Sequence, residues 1–330
     1  MHNAPMSDTR PTIDDIRLAA ERIAPHIHRT PVLTCEAINR ATGREIFLKC
    51  ENLQKVGAFK ARGACNAVMG LDDKTAERGV VTHSSGNHAQ ALAWAAAKRG
   101  IPANIVMPTN APSIKRKAVI EYGGIVHECQ PTIEDRIRTA QLVSEETGGS
   151  IIPPYDDHRI IAGQGTVALE LMGQVPDLDA VITPVGGGGM LSGVAIAMNA
   201  LSPNTSRFAA EPAQADDAYR SLASGNIEPM PNPDTIADGL RTTLGARTFP
   251  IIKDLIEEIF LVQEHQIASA MRLVMERAKL VVEPSGVVAV AAACDRAFRE
   301  RSGMKRIGIV ITGGNVDLTK LPEFLALESE

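Results

Sequence analysis

Between Gly79 and Gly100 the chain switches from one hydrophobic period to another. Val80, Val81 and Thr82 form a short β-branched run, His83–His88 is small and polar, and Ala89–Arg99 is alanine-rich and closed by Gly100, with Pro102 beyond. β-branched residues suit a pleated, half-buried surface and alanine suits a helix, while glycine after a basic last turn is a stop signal. The same order recurs downstream. Ala103–Met107 predicts a strand, and Pro112–Tyr122 a helix ended by Gly123-Gly124. Asp179–Val185 predicts a buried strand that runs into four successive glycines, Gly186–Gly189, and then a helix over Met190–Leu201. Arg207–Ala210 and Arg306–Ile311 are further β-rich runs. Strands alternating with helices predict an α/β fold with parallel sheets covered on both faces. Residues 76–155 carry their own strand–helix set with polar flanks, and the remaining long apolar elements lie outside it. The expectation is a larger domain from residues 1–75 and 156–330, with a smaller domain of residues 76–155 inserted in it.

Composition narrows the functional classes. The 330 residues are 44 % hydrophobic and 22 % charged, a balance that suits a two-domain globular chain. A net charge of −5 and 3 % aromatic residues leave no basic face and no stacking platform, so nucleic acid is not an expected partner. No apolar run approaches the length of a membrane span, and Met1–Pro5 lacks the basic and apolar blocks of a signal peptide. Cys35, Cys50, Cys65, Cys129 and Cys294 are scattered, odd in number and without CxxC spacing. That pattern predicts free core thiols in a reducing cytoplasm, not disulfides or a zinc site.

Candidate chemistry lies in the loops. Lys60 stands in Val56-Gly57-Ala58-Phe59-Lys60-Ala61-Arg62-Gly63-Ala64, beside an aromatic ring and small residues. Burial there disfavours the ammonium ion and lowers its pKa, as a Schiff-base nucleophile requires. A surface lysine at a helix start is the plain alternative. Gly186–Gly189 follows a strand and opens a helix, so its free N–H groups and the helix dipole make a phosphate cradle. A dinucleotide-dependent oxidoreductase competes for this loop. Gly187-x-Gly189-x-x-Ser192 nearly fits that fingerprint, and Glu211 lies where a ribose-binding acid would fall, although the third glycine is missing. Ser84, Ser85 and Asn87 read as helix caps or, in surplus, as partners for a carboxylate and a proton. Ile311-Thr312-Gly313-Gly314-Asn315 ends the last strand either as an ordinary turn or with a hydroxyl facing the same crevice.

Together these motifs resemble the pyridoxal-phosphate enzymes of the threonine dehydratase and serine racemase family, fold type II. The resemblance spans about residues 15–318 and keeps the order of Phe59-Lys60-Ala61-Arg62-Gly63-Ala64, Ser84-Ser85-Gly86-Asn87-His88, Gly163-Gln164-Gly165-Thr166, Gly186–Gly189 with Met190, and Thr312-Gly313-Gly314-Asn315. Glu211-Pro212-x-x-Ala215-Asp216-Asp217, Ile236-Ala237-Asp238-Gly239 and Gly313-Gly314-Asn315-Val316-Asp317 bring it nearest the serine racemases. The fold so implied is two open twisted parallel-sheet domains with helices on both faces. The extra C-terminal regulatory domain of long threonine deaminases is not expected.

The resemblance also implies residue roles. Lys60 would carry pyridoxal 5'-phosphate as a Schiff base and remove the Cα proton. Phe59 and Gly239 would flank the ring, Asn87 would hydrogen-bond its 3-hydroxyl, and Thr312 would face its nitrogen. Gly186, Gly187, Gly188 and Gly189, with Met190, would hold the phosphate. A neutral hydroxyl at the nitrogen makes the cofactor a weaker electron sink, which favours β-elimination over longer-lived carbanion chemistry. Ser85 would act as acid and base on the face opposite Lys60, giving racemisation. Loss of the β-hydroxyl first would give a 2-oxo acid and ammonia.

Ser84, Ser85, His88, Arg136, Arg241 and Thr242 are the implied substrate contacts. Arg136 and Arg241 would supply the second cation that 3-hydroxyaspartate needs, so dehydration of that dicarboxylate stands beside action on serine or threonine. Arg136 follows Glu134-Asp135, where a solvated ion pair is its alternative. Glu211, the Ala215 carbonyl and Asp217 form an implied site for Mg²⁺, Ca²⁺ or Mn²⁺. Lys115, Tyr122, Lys279 and Asn315 match places through which ATP activates serine racemases. The partners implied are an amino acid and a second copy in a homodimer. Two positions depart from the commonest pattern: Ala58 stands where many relatives have serine, and Thr312 replaces the serine usual in serine racemases.

Overall fold

The computed structural model describes residues 10–327. Among them ten strands make two sheets: β1 Val32–Leu33, β2 Glu45–Cys50, β3 Val80–His83, β4 Ala103–Pro108, β5 Ile125–Cys129, β6 Ser150–Ile151, β7 Ala180–Pro184, β8 Ser206–Pro212, β9 Glu258–Val262 and β10 Arg306–Ile311. The larger sheet runs β1-β2-β10-β7-β8-β9 and the smaller β5-β4-β3-β6. Every pairing is parallel except that of β1 with β2. The expected α/β architecture with helix-covered parallel sheets is the one observed.

Alternation along each strand builds the two cores of the larger sheet. Ile307, Ile309 and Ile311 of β10 face one apolar cluster, with Ala180 and Ile182 of β7 and Phe208 and Ala210 of β8. Val310, Val181 and Ala209 face the other. Phe208, Phe260 and Phe298 interlock edge-to-face at 5.5–5.9 Å in the first cluster. Such ring pairs stabilise by about 0.5–1.5 kcal/mol beyond the area they bury. The strands of the smaller sheet fall within residues 80–151, and the helix Lys60–Met69 packs into its apolar cluster through Ala61, Ala64, Cys65, Ala67 and Val68.

Local signals set most boundaries. Gly100, at φ 72°, ends the helix Asn87–Arg99 in the left-handed conformation, which costs glycine little. β2 escapes the β-branched pattern because it carries Glu45 and Lys49, yet Lys49 is fully buried. Its Nζ donates to Glu170 Oε2 at 2.6 Å, the Thr30 carbonyl at 2.8 Å and Gln174 Oε1 at 2.9 Å. All five cysteines are free thiols.

The parallel order places four informative loops at one end. β2 leads on to the Lys60 helix, β3 to Ser84-Ser85, β7 to Gly186–Gly189 and β10 to Thr312, each beyond a carboxyl strand end. In open α/β sheets that end is where ligands bind.

Candidate active site

The Lys60 segment is held against the end of β10. The Phe59 N–H donates to the Thr312 carbonyl at 3.0 Å and the Gly314 N–H to the Gly57 carbonyl at 2.9 Å. The Lys60 Nζ donates to the Pro154 carbonyl at 2.7 Å and lies 5.0 Å from the Phe59 ring centre. Burial pushes its pKa down from 10.5 to about 8, against the attraction of Glu283. A drop of that size raises the neutral amine at neutral pH by about 300-fold. The surface-lysine alternative does not hold.

Gly186–Gly189 is the second component. Gly188 sits at φ 88° as the N-cap of the helix Gly189–Leu201. A Cβ there would come 2.7 Å from Ile252 Cδ1, and one at Gly189 would come 2.9 Å from the Tyr155 Cα. Among the described residues nothing accepts from the N–H groups of Gly187, Gly188, Gly189 or Met190. Side-chain-free backbone with unpaired N–H groups at a helix start fits a phosphate. Thr242 Oγ1 lies 3.1 Å from where a Gly186 Cβ would stand, so this hydroxyl borders the same cradle.

A polar network joins the remaining loops. Asn87 Nδ2 donates to Glu283 Oε1 at 2.8 Å, and Asn315 Nδ2 donates to Asn87 Oδ1 at 2.8 Å. The Thr312 hydroxyl donates to the Ser285 carbonyl at 3.3 Å, and the Gly239 N–H donates to Ser285 Oγ at 3.0 Å. Glu283 is buried, and its pKa is pushed up to about 7 by burial, with repulsion from Asp238 adding to it.

The helix Asn87–Arg99 has Gly86 as N-cap without a side-chain capping bond. Ser84 Oγ accepts only the Gly86 N–H, at 3.4 Å, and the Ser85 hydroxyl has no partner among the described residues. Capping therefore does not account for the serines. His88 is buried, and its Nε2 donates to the Ile152 carbonyl at 3.0 Å while its Nδ1 finds no partner among the described residues. Burial and the Lys60 charge push its pKa down to about 3, so it is neutral at ordinary pH.

A scan against family models matches residues 23–313 to "Pyridoxal-phosphate dependent enzyme". The chain belongs to that family. Serine racemase of Dictyostelium discoideum is 50 % identical over 316 residues, covering 95 % of this chain and 98 % of that one. The beta-hydroxyaspartate dehydratase of Paracoccus denitrificans (strain Pd 1222) is 50 % identical over 312 residues, covering 94 % and 98 %. The solved structure of maize serine racemase superposes with a TM-score of 0.94 at 47 % identity, covering 96 % and 98 %.

As a member of the pyridoxal-phosphate dependent family, the chain has no call for a nicotinamide nucleotide, and the near-fit to the dinucleotide fingerprint has another cause. Glu211, the supposed ribose acid, is fully buried and accepts the Ala218 and Tyr219 N–H groups at 2.9 Å each. Ser192, in place of the third glycine, is buried with its hydroxyl on the Thr248 carbonyl at 3.4 Å.

The two arginines differ. Asp135 pairs with Arg138, so the solvated pair considered for Arg136 does not form. Arg136 Nε is buried without a partner among the described residues, and its charge acts on His83 at the end of β3. Arg241 instead gives Nε to the Thr235 carbonyl at 2.9 Å, with Nη2 on the same oxygen.

Glu211 and Asp217 are both fully buried. Asp217 Oδ2 accepts the Leu244 N–H at 3.0 Å, whereas Oδ1 has no partner among the described residues. Burial pushes the Glu211 pKa up to about 9 and that of Asp217 to about 6. An orphaned carboxylate oxygen beside a second buried acid fits a hard dication. Among the described residues no three His, Cys, Asp or Glu side chains group to hold a metal, so such a site would need carbonyl and water oxygens as well. Of the nucleotide positions, Lys115 pairs with Asp238 and Asn315 is engaged by Asn87. Tyr122 packs on the smaller sheet's core and Lys279 is exposed at φ 59°.

Sequence reasoning passed over Glu283, Ser285, Pro154 and Tyr155. Glu283-Pro284-Ser285-Gly286 looks like an ordinary helix start with proline at its first position, and only the fold turns it toward Asn87 and Thr312.

Proposed function

We propose that this chain is a serine racemase-like ammonia-lyase that converts L-serine or L-threonine to the 2-oxo acid and ammonia, with accompanying racemisation. The observation that carries this is the placement of the Lys60 amine, bonded to the Pro154 carbonyl on a segment clasped to the strand end beside the glycine cradle, where burial lowers its pKa. Phe59, Lys60, Asn87, Gly186–Gly189, Met190, Gly239 and Thr312 would hold pyridoxal phosphate. When bound, that group supplies an electron sink for the Cα electrons. Lys60, neutral in useful amount near its pKa, takes the Cα proton on one face. The Ser85 hydroxyl, without a partner among the described residues, returns a proton to the other face. If the β-hydroxyl departs as water, the resulting enamine takes up water and releases ammonia. The Ser84 hydroxyl donates to the substrate carboxylate, while neutral His88, whose one N–H is taken by the Ile152 carbonyl, presents Nδ1 only as an acceptor.

A second reading, 3-hydroxyaspartate dehydratase, is favoured by Arg136. A guanidinium with a buried, unpartnered Nε is a natural counter-ion for a second carboxylate. Arg241, engaged on Thr235, contributes less. The deciding measurement is kcat/KM for L-serine, L-threonine and the 3-hydroxyaspartate stereoisomers, in the parent and in Arg136→Ala. A loss confined to the dicarboxylate, about 10-fold or more, supports the second reading, and equal loss for all substrates refutes it.

Divalent-cation binding at Glu211, Asp217 and the Ala215 carbonyl is part of this proposal, supported by the orphaned Asp217 oxygen. ATP activation would require Lys115 to exchange Asp238 for a phosphate, and nucleotide titration of the rate tests it. A cytoplasmic homodimer completes the picture, supported by the five free thiols and by exposed Leu53 and Val281. The division into residues 76–155 and the rest is part of the same proposal, supported by the strands of the smaller sheet, which fall within residues 80–151.

A further inference from the structure

Gly163-Gln164-Gly165-Thr166 stands apart from the site loops, in the middle of the helix His158–Gln174. Its glycines mark where three helices touch backbone to backbone. A Cβ at Gly163 would come 2.7 Å from the Gly63 Cα and 2.8 Å from the Arg62 carbonyl, both on the Lys60–Met69 helix. On the other side, a Cβ at Gly165 would come 2.8 Å from the Gly193 carbonyl and one at Gly193 2.5 Å from the Gly165 N. Gly193 lies on Gly189–Leu201, the helix that opens with the cradle. The 158–174 helix is therefore wedged between the helix that begins with Lys60 and the helix that begins with Gly189.

Arg62, two residues past Lys60, locks the first of these contacts. It is fully buried, giving Nε and Nη2 to Glu51 at 2.7 and 2.8 Å and Nη1 and Nη2 to Glu170 at 2.8 and 2.9 Å. Its Nη1 also reaches Thr166 Oγ1 at 3.2 Å. Two bidentate pairs fix a guanidinium in angle as well as in distance, which a lysine cannot reproduce.

We propose that Arg62, Gly163, Gly165 and Gly193 are positioning residues whose joint work is to set the separation between Lys60 and the glycine cradle. A ligand with a phosphate at one end and an aldehyde at the other is bivalent. Its affinity exceeds that of either end by an effective concentration, which is high only where the two half-sites match the ligand's span. Three helices in backbone contact cannot change that span without unpacking. This rests on the site proposed above, at Lys60 and Gly186–Gly189.

The test uses the full-length chain, stripped of cofactor with hydroxylamine, in four forms: parent, Gly165→Ala, Arg62→Lys and Gly173→Ala. Gly173 is the control, on the same helix with nothing within 4 Å of an added Cβ. Three affinities are measured: inorganic phosphate, pyridoxal trapped on the lysine by borohydride, and pyridoxal phosphate. The expected result for Gly165→Ala and Arg62→Lys is phosphate and pyridoxal binding within about 2-fold of the parent, with pyridoxal phosphate weakened by about 10-fold or more. Gly173→Ala should match the parent on all three. Unchanged pyridoxal-phosphate affinity in the folded variants overturns the proposal, as does a loss matched by either half-ligand. If Gly165→Ala does not fold, Arg62→Lys and the milder Thr166→Val, which removes one acceptor from Arg62, decide the matter on the same three affinities. A parent that binds neither phosphate at the glycines nor pyridoxal on Lys60 would instead sink the site assignment.

Discussion

Glu283→Gln keeps an oxygen for Asn87 Nδ2 but removes a charge that the fold holds in a buried place. In the parent, burial raises the carboxyl pKa from 4.5 to about 7. Repulsion from Asp238 adds to this, while Asn87, Lys115 and the Asn315 N–H partly offset it. A pKa raised by folding means that the protonated form favours the folded state. That contribution is complete below about pH 4.5 and is lost as pH rises through about 7. From 4.5 to 7 is 2.5 pH units, and at about 1.4 kcal/mol per unit the loss amounts to roughly 3 kcal/mol. Glutamine has no such titration. Urea unfolding of the full-length, cofactor-depleted parent and variant, from about pH 4.5 to about pH 8, should therefore show the stability difference moving toward the variant by up to roughly 3 kcal/mol as pH rises. The same substitution removes the charge that holds the Lys60 pKa up, so the pH profile for trapping pyridoxal on Lys60 should move to lower pH. A stability difference flat across this range, or a trapping profile that moves upward, would refute both the burial argument and the Glu283–Lys60 coupling.

Other substitutions probe the remaining components. Ser85→Ala should abolish racemisation while sparing much of the elimination of the L-substrate, as read from D-product and ammonia separately. Equal loss of both from cofactor-loaded protein would remove Ser85 as the opposite-face acid. Gly188→Ala places a Cβ at φ 88° and 2.7 Å from Ile252 Cδ1, and a left-handed alanine alone costs about 1–2 kcal/mol. Phosphate affinity of the stripped protein should fall about 10-fold or more, with the lysine still able to trap pyridoxal. Adding Mg²⁺ or Ca²⁺ should raise the Tm, and more so as pH rises from about 6 to about 9, because the Asp217 and Glu211 protons must leave for the ion to enter. Asp217→Asn should remove that gain, and an unchanged Tm in the parent would count against the site.

The sequence alone determined the alternation of strand, glycine loop and helix, because hydrophobic period and glycine stops are local properties. It therefore placed Gly186–Gly189 at a helix start, ended the helix Asn87–Arg99 at Gly100, and singled out Lys60 by its small and aromatic neighbours. It did not assign β2, since Lys49 reads as a surface charge until Glu170, 121 residues away, is seen to meet it. Nor did it find Glu283 and Ser285, which reach Asn87 and Thr312 only through the packed fold. The i,i+3 pairing of Asp135 with Arg138 follows a local rule, but the burial of Arg136 Nε, unpartnered among the described residues, shows only in the packed fold. Burial, and with it the pKa values of Lys60, His88 and Glu283, is a property of what surrounds a residue in space. The order β2-β10-β7 set those surroundings by bringing chain segments more than a hundred residues apart to the same strand ends.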